Sequence, residues 1–134
     1  MSKPNKTPFY IVSCWQLNLS EIENVENTLD AMHMLNRQGV SFKKVVGHYT
    51  YDNGQAGFEL SLVLPERARV LACKLMAQYN QETILHVEAD RSAYLLDRSG
   101  ERRLGQWSSV TKSQADKLQA FTYDSKTESY YSII

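Results

Sequence analysis

Apolar residues recur with helical spacing in two stretches of the chain. After Ser20, steps of three and four residues place one apolar face on a helix, formed by Ile22, Val25, Leu29, Met32 and Leu35. Ser20 suits the N-cap, and Gly39 allows the positive φ with which many helices end. A second helix is predicted from Pro65, a residue favoured at the first helical position, with a stripe at Val70, Leu71, Leu75, Met76 and Tyr79.

Runs of β-branched and aromatic residues predict strands around these helices. The predicted strands cover residues 9–17, 40–52, 58–64, 83–87, 93–96 and 106–110. Between the second and third of them, Asn53-Gly54 favours a two-residue type I′ hairpin loop. A loop of that length places His48 opposite Glu59 and Tyr49 opposite Phe58.

The order of these elements predicts a fold class. Strand, helix, strand, strand, helix, strand is the β-α-β-β-α-β order of a ferredoxin-like fold. We therefore expect an α+β protein with a largely antiparallel sheet, two helices on one face and an appended C-terminal β region. Residues 1–134 should form a single domain, with a polar N-terminal segment at 1–7 and a C-terminal tail at 125–134. Val45 and Val46 point to opposite faces although both are apolar, which suggests that another subunit covers the second face.

The charge balance excludes several function classes. The 134 residues include 15 basic and 15 acidic side chains, whereas nucleic-acid-binding domains usually carry a basic excess and DNA mimics an acidic one. RNA-recognition domains share the predicted element order, but the segment Ala56-Gly57-Phe58-Glu59-Leu60 lacks the basic residue and the second aromatic of their strand motif. We expect no nucleic-acid partner.

The remaining composition indicates a cytoplasmic protein. Cys14 and Cys73 are isolated among apolar residues, which is typical of reduced, buried thiols. The first eight residues lack the apolar stretch of a signal peptide, and no segment approaches the roughly 20 apolar residues of a membrane span. The three histidines do not show the spacing of a metal site, so we expect neither a membrane partner nor a metal.

Glu59 is the strongest candidate for a functional residue. It lies in an otherwise apolar strand, where simple alternation would turn Glu59 and Ser61 outward. The predicted hairpin register groups Glu59 and Ser61 with His48 on the face away from the helices. Because an unpaired buried carboxylate is costly, a carboxylate on a covered face would need a partner or a cationic ligand.

Several short segments resemble the phage-encoded enzymes that destroy S-adenosylmethionine, long called hydrolases and now understood as lyases. The C-terminal matches are residues 72–81, 83–87, 92–95, 104–110 and 120–124. In the middle of the chain, residues 45–49 and 58–61 resemble the strand pair that bears the family's catalytic tyrosine and glutamate. The likeness spans roughly residues 9–124.

This resemblance implies a homotrimer with active sites between subunits, a ferredoxin-like core and S-adenosylmethionine as the substrate, with no cofactor. It carries the catalytic roles to Glu59 and Tyr49, and we expect His48 and Ser61 to bind substrate. The predicted register, however, places Tyr49 and Glu59 on opposite faces. Either a bulge turns one of the two side chains to the other face, or the pair meets across an interface, or Tyr49 is not the matching tyrosine.

The resemblance also implies the reaction and its setting. The substrate's own carboxylate would attack its γ-carbon and expel methylthioadenosine, leaving homoserine lactone. Depletion of S-adenosylmethionine in the host cytoplasm would disarm restriction and methylation that depend on it. Two alternatives stay open: hydrolysis by an activated water, and a non-catalytic ferredoxin-like trimer that binds an adenosyl ligand between subunits.

Overall fold

The computed structural model describes residues 7–134, which contain eight strands and three α-helices. The strands are β1 (Phe9–Ser13), β2 (Lys43–Thr50), β3 (Ala56–Pro65), β4 (Ile84–Val87), β5 (Ser92–Asp97), β6 (Gly100–Val110), β7 (Ala120–Asp124) and β8 (Ser129–Ile133). The helices are α1 (Glu21–Arg37), α2 (Arg69–Gln78) and α3 (Lys112–Ala115). Most of the predicted N-terminal segment, residues 1–6, lies outside the described part of the chain.

The ends of α1 confirm the sequence prediction. The Ser20 hydroxyl accepts a hydrogen bond from the Glu23 N–H at 3.1 Å, and the Glu23 carboxylate accepts one from the Ser20 N–H at 3.2 Å. This reciprocal capping box satisfies two backbone donors that the helix leaves free. Beyond the other end, Gly39 has a φ of +69°, the left-handed conformation for which glycine is suited.

The second helix begins later than predicted. Pro65 ends β3, where it pairs with Phe9, and a 3₁₀ turn over Glu66–Ala68 separates it from Arg69 at the start of α2. The pairing of β3 with β2 ends at Val63, so Pro65 has a strand neighbour on one side only, an edge position that proline tolerates.

The strands form a closed barrel, so the predicted ferredoxin-like fold is wrong. Going round the barrel, the order is β1-β3-β2-β7-β8-β6-β5-β4, and every neighbouring pair is antiparallel. The expected open sheet with an appended β region does not form because β7 pairs with the free edge of β2, and β5 and β6 extend the opposite edge. Residues 125–134, expected as a tail, contain β8, which joins the two halves by pairing with β6 and β7.

The hydrophobic core lies outside the barrel wall, beneath α1 and α2. Even-numbered residues of β1 and β3 face this core, and its largest fully buried apolar side chains include Tyr10, Val12, Leu35, Leu62, Leu64 and Leu75. Because successive residues of a strand point to opposite faces, the odd-numbered residues of β1 and β3 face the barrel interior. The predicted site face, away from the helices, is therefore the inner surface of a barrel.

Both cysteines are free thiols. Cys14 is buried in the core, and burial raises its pKa to about 12, whereas Cys73 on α2 is half-buried. A thiol with such a high pKa is almost entirely protonated at neutral pH and is a poor nucleophile. In residues 7–134, no helix has both the length and the apolar character needed to cross a membrane.

Candidate active site

The loop between β2 and β3 sets the geometry of the site. Its three residues are Asp52, Asn53 and Gly54, closed by a hydrogen bond from the Tyr51 N–H to the Gln55 carbonyl oxygen at 2.8 Å. Gly54 has a φ of +85°, as expected in three-residue hairpin loops that end in a left-handed residue. The predicted two-residue loop is therefore wrong by one residue.

This additional loop residue brings the two candidate catalytic side chains to one face. Tyr49 pairs with Gly57, and Gly47 pairs with Glu59, so Tyr49 and Glu59 both point away from the helices. A register shift of one residue moves every side chain of a strand to the opposite face. The sequence left open how Tyr49 and Glu59 could come together. The longer loop places both side chains on one face within a single subunit, so no contact between subunits is needed.

The same shift removes His48 from the predicted cluster. His48 pairs with Phe58 on the outer face, and its ring stacks on Phe121 with centroids 4.7 Å apart. The prediction that His48 shares a face with Glu59 and Ser61 is wrong for His48. Ser61 does share that face, two residues beyond Glu59 in β3. Its side chain is buried and does not line the pocket described next.

Tyr49 and Glu59 line a pocket of about 580 Å³ at one rim of the barrel. Apart from Tyr51, which follows β2, the rest of its wall comes from two loops. One follows β1 and the other precedes β4, and they lie side by side because β1 pairs with β4. The lining residues are Trp15, Gln16, Leu17, Asn18, Tyr49, Tyr51, Glu59, Asn80, Gln81, Glu82 and Thr83.

Glu59 is a desolvated carboxylate without a cation beside it. Burial raises its pKa, and a hydrogen bond with the Ser13 hydroxyl partly opposes that shift. Among the described residues, no lysine, arginine or histidine forms an ion pair with Glu59. A cationic ligand would therefore supply the charge that this carboxylate lacks.

Tyr49 supplies a phenol that stays protonated. Burial raises its pKa to about 12, and its hydrogen bond with Tyr51 and the negative charge of Glu59 act in the same direction. The Tyr49 ring meets the Tyr51 ring edge-on, with centroids 5.0 Å apart. At neutral pH the Tyr49 hydroxyl is a hydrogen-bond donor and not a base.

Trp15 and Gln81 belong to the site although their roles were missed from the sequence. The Gln81 side-chain amide donates to the Trp15 carbonyl oxygen at 2.7 Å and to the Tyr79 carbonyl oxygen at 3.1 Å, which ties the two loops together. The Trp15 ring packs against Phe58 with centroids 5.5 Å apart. One signal for them is present in the sequence, since Gln81 ends a segment that resembles the lyase family. Their proximity could not be predicted, because it depends on the pairing of β1 with β4, which are far apart in the chain.

One group in the described part of the chain has the spacing of metal ligands. Potential ligand atoms of His86, Glu88 and Glu101 lie within 4.8 Å of one another, and none of these residues lines the Glu59 pocket. The His86 ring stacks on Tyr10, and its Nδ1 lies 2.9 Å from the Glu101 carboxylate. The Nε2 atom of His86 is buried and has no hydrogen-bond partner among the described residues.

A larger, half-open cavity of about 940 Å³ extends from one end of the barrel into its interior, but its charge does not suit a cation. Of its two carboxylates, Glu66 and Asp124, the second is already paired with Lys43 at 2.8 Å, and Arg67 and Arg91 also line the cavity. The Glu59 pocket instead combines an unpaired carboxylate, an aromatic ring and a phenol donor. That combination can bind an organic cation and orient its polar groups.

Comparison with known families assigns the chain. A family model described as the S-Adenosylmethionine lyase family matches residues 10–134. Comparison with curated proteins gives no significant match. The match confirms the resemblance found in the sequence, and it includes every residue that lines the Glu59 pocket. Since it covers nearly the whole chain, this protein belongs to the S-adenosylmethionine lyase family.

Proposed function

We propose that the chain degrades S-adenosylmethionine by lyase chemistry in the pocket of Glu59 and Tyr49. The observation that carries this proposal is the desolvated carboxylate of Glu59, which has no cationic partner among the described residues. S-adenosylmethionine brings two positive charges, an ammonium and a sulfonium. The aromatic rings of Trp15 and Tyr49 in the same wall suit the adenine ring or the sulfonium.

The proposed reaction is an intramolecular displacement. A carboxylate oxygen of the substrate forms a bond to its own γ-carbon, the γ-carbon–sulfur bond breaks, and its electron pair goes to sulfur. The products are neutral methylthioadenosine and homoserine lactone, which keeps the ammonium group. No water is consumed and no proton is transferred, so the enzyme contributes mainly by holding the methionine arm in attack geometry.

Charge changes during the reaction assign a role to Glu59. The sulfonium and the substrate carboxylate neutralise each other as the transition state forms. A protein carboxylate beside the sulfonium would stabilise the reactant more than the transition state and would slow the reaction. We therefore place Glu59 at the ammonium group, whose charge does not change, and the Tyr49 hydroxyl as a donor that orients the substrate.

Incubation with S-adenosylmethionine tests the proposal. Chromatography should show methylthioadenosine and homoserine lactone, and Glu59→Gln should lower kcat/KM by about 10- to 100-fold, the value of a charge-assisted hydrogen bond. Glu26→Gln, which removes an exposed carboxylate from α1, is the matched control and should leave the rate unchanged. Binding of intact S-adenosylmethionine without turnover would contradict the proposal and favour the non-catalytic alternative.

Labelled water separates a lyase from a hydrolase. In ¹⁸O-water, lyase chemistry yields lactone without label, and later opening of the lactone places ¹⁸O in the carboxylate of homoserine. Hydrolysis at the γ-carbon would instead place ¹⁸O in the γ-hydroxyl group. Mass spectrometry of the first product formed therefore decides between the two reactions.

We further propose that the enzyme is a homotrimer with its pockets near subunit contacts. Exposed apolar side chains support this, because Leu17 in the pocket wall is 77% exposed and Ile22 at the start of α1 is 73% exposed. Light scattering should give three times the chain mass of 15.4 kDa. A monomeric mass with full activity would overturn the trimer and leave the reaction standing.

The proposed biological role is anti-restriction in the cytoplasm of a phage-infected host, which the family resemblance supports. Expression in a bacterial host should lower the S-adenosylmethionine pool and the methylation of chromosomal DNA. The Glu59→Gln variant, expressed at the same level, should restore both. Equal methylation with both proteins would argue against this role.

A further inference from the structure

The barrel interior holds a second cavity, which shares no lining residue with the Glu59 pocket. Its volume is about 940 Å³, and its walls are contributed by six of the eight strands. Inward-facing residues of an eight-stranded barrel either fill its interior or leave room for one small ligand. In this barrel the side chains leave that room.

Three aromatic rings form one side of the cavity. The Trp107 and Tyr131 rings are stacked, with centroids 5.3 Å apart and planes at 13°. The Phe9 ring meets Trp107 edge-on, with centroids 5.6 Å apart. A planar aromatic ligand gains more on such surfaces than a flexible aliphatic one does, because offset stacking adds to the burial of apolar area.

Positive charge predominates in the lining of the cavity. The ionic groups are Lys43, Arg67 and Arg91 against Glu66 and Asp124, a surplus of one positive charge. Asp124 is committed, since it accepts hydrogen bonds from the Lys43 ammonium at 2.8 Å and from the Lys126 N–H at 3.0 Å. An anionic ligand is therefore favoured over a cation such as S-adenosylmethionine.

Arg91 is held in an unusual backbone conformation at this cavity. Its φ is +69°, which is uncommon for a residue with a side chain and costs conformational energy. Backbone hydrogen bonds enforce it, one from the Arg91 N–H to Glu88 and one from the Trp107 N–H to the Arg91 carbonyl oxygen, both at 2.8 Å. The guanidinium lies 5.7 Å from the centre of the Phe9 ring, and its Nη1 donates one hydrogen bond to the Thr7 carbonyl oxygen at 2.9 Å.

We propose that the barrel interior is a binding site for a small planar aromatic anion. The rings of the ligand would pack against Phe9, Trp107 and Tyr131, and its carboxylate or similar acidic group would accept hydrogen bonds from Arg91. The site is independent of the proposed reaction, because no residue of the Glu59 pocket takes part in it.

Calorimetry with two naphthalene probes tests the proposal. The probes are 2-naphthoate and 2-naphthalenemethanol, which share a ring system and differ in charge. 2-Naphthoate should bind at least 10-fold more tightly. Arg91→Asn should remove most of that preference and leave the neutral probe unaffected, since a hydrogen bond to a charged group corresponds to about 10- to 100-fold in affinity.

Asparagine is the chosen substitution because it tolerates positive φ, so the turn keeps its backbone conformation. An unchanged thermal midpoint verifies that Arg91→Asn is folded. Arg98→Asn, which removes an exposed arginine from the β5–β6 turn, is the matched control and should keep the full preference for the anion.

Tryptophan fluorescence locates the bound probe. 2-Naphthoate should change the emission of the wild-type protein and of Trp15→Phe, and this change should be lost in Trp107→Phe. Equal affinity for the two probes, a preference that survives in Arg91→Asn, a signal that depends on Trp15, or no binding at millimolar concentration would each overturn the proposal. None of these outcomes depends on turnover of S-adenosylmethionine.

Discussion

Gly57 controls where the ring of Tyr49 can lie. A Cβ atom at position 57 would lie 2.4 Å from Cε2 of the Tyr49 ring and 2.7 Å from its Cζ, distances that atoms in proteins do not adopt. The ring can therefore cross the β2–β3 pair only because residue 57 lacks a side chain. This packing keeps the Tyr49 hydroxyl in the same pocket as Glu59.

Gly57→Ala should displace the Tyr49 ring and lower kcat/KM for S-adenosylmethionine by about 10-fold or more, because an oriented donor is lost. NMR of ¹³Cζ-labelled tyrosine should show the pKa of Tyr49 falling from about 12 toward its ordinary value as burial is lost. Gly47→Ala on the facing strand is the control, since its Cβ would meet the Glu59 Cγ at an ordinary 3.5 Å. A displaced ring with an unchanged rate would exclude a role for Tyr49 in turnover.

Glu59 should reduce stability while it supports activity. Its pKa is raised in the folded state, so the ionised form opposes folding. The free energy of unfolding then decreases as pH rises from the unfolded-state pKa, about 4.3, through the folded-state pKa. Glu59→Gln should therefore be more stable than wild type at pH 7 and equally stable below about pH 4.

Urea midpoints of both proteins, measured across this pH range, test the expectation. Groups other than Glu59 titrate in both proteins, so their contributions cancel in the difference. A Glu59→Gln variant that is less stable than wild type at pH 7 would show that Glu59 is well paired in the folded protein.

At the scale of elements, Asn24 connects α1 to a loop of the Glu59 pocket. Asn24 is 1% exposed, and its side-chain oxygen accepts a hydrogen bond from the Gln16 N–H at 2.7 Å. Its amide donates to the Gln16 carbonyl oxygen at 2.9 Å. This pair of hydrogen bonds fixes residues 15–18 against the first turns of the helix, so α1 positions the pocket wall without lining it.

Asn24→Ala should lower the free energy of unfolding by about 1–3 kcal/mol, because both backbone groups of Gln16 lose a buried partner. It should also raise KM for S-adenosylmethionine more than it lowers kcat, since the loop shapes the pocket but carries no reacting group. Urea denaturation and steady-state kinetics measure the two effects. Asn36→Ala, at an exposed position of the same helix, is the control, and equal effects of both substitutions would contradict this role.

The site shows which elements can be predicted from sequence and which cannot. The prediction of α1 is confirmed at both ends because its cap and its final glycine are local features of the chain. The predicted apolar face is wrong in part, since Ile22 and Leu29 are 73% and 47% exposed while Asn24, Thr28 and Ala31 are buried. The β2–β3 register was predicted wrongly because Asn-Gly is compatible with loops of two and of three residues. The additional loop residue decides whether Tyr49 or His48 lies on the same face of the sheet as Glu59.

At the scale of the whole molecule, closure of the barrel depends on the contact of β2 with β7. Lys43 of β2 and Asp124 of β7 form an ion pair across it, and Asp124 is 1% exposed. Burial alone would raise the pKa of Asp124, but the hydrogen bond and charge of Lys43, together with the hydrogen bond from the Lys126 N–H, outweigh this and hold the pKa below its ordinary value. Ionised Asp124 therefore stabilises the closed barrel.

Asp124→Asn should lower the free energy of unfolding at pH 7 by about 1–3 kcal/mol, the cost of removing one partner of a buried hydrogen bond. A lowered folded-state pKa contributes stability above the unfolded pKa, about 3.9, and this contribution is lost as pH falls through the folded pKa. The difference between variant and wild type should thus be constant near pH 7 and shrink below about pH 4. Thermal midpoints across this range measure it, and a difference independent of pH would show that the charge is not responsible.

Local patterns in the chain were sufficient to locate α1, α2 and most strands, and they made Glu59 a candidate. Capping and periodicity depend on neighbours within a few residues, and a carboxylate in an apolar strand is visible without a structure. The family resemblance was also readable, since short matches extend along the chain. None of these features reports which distant strands pair.

Three features could be seen only in the tertiary structure. They are the closure of the barrel, the face shared by Tyr49 and Glu59, and the loops that bring Trp15 and Gln81 beside them. They depend on pairing between β2 and β7 and between β1 and β4, strands that lie more than 60 residues apart in the chain. Such pairing buries whole faces of the sheet and gives the backbone groups at strand edges their hydrogen-bond partners. Neither effect can be predicted from one local segment. An apolar strand with one glutamate thus indicated a site, and the closed barrel gave that glutamate its neighbours.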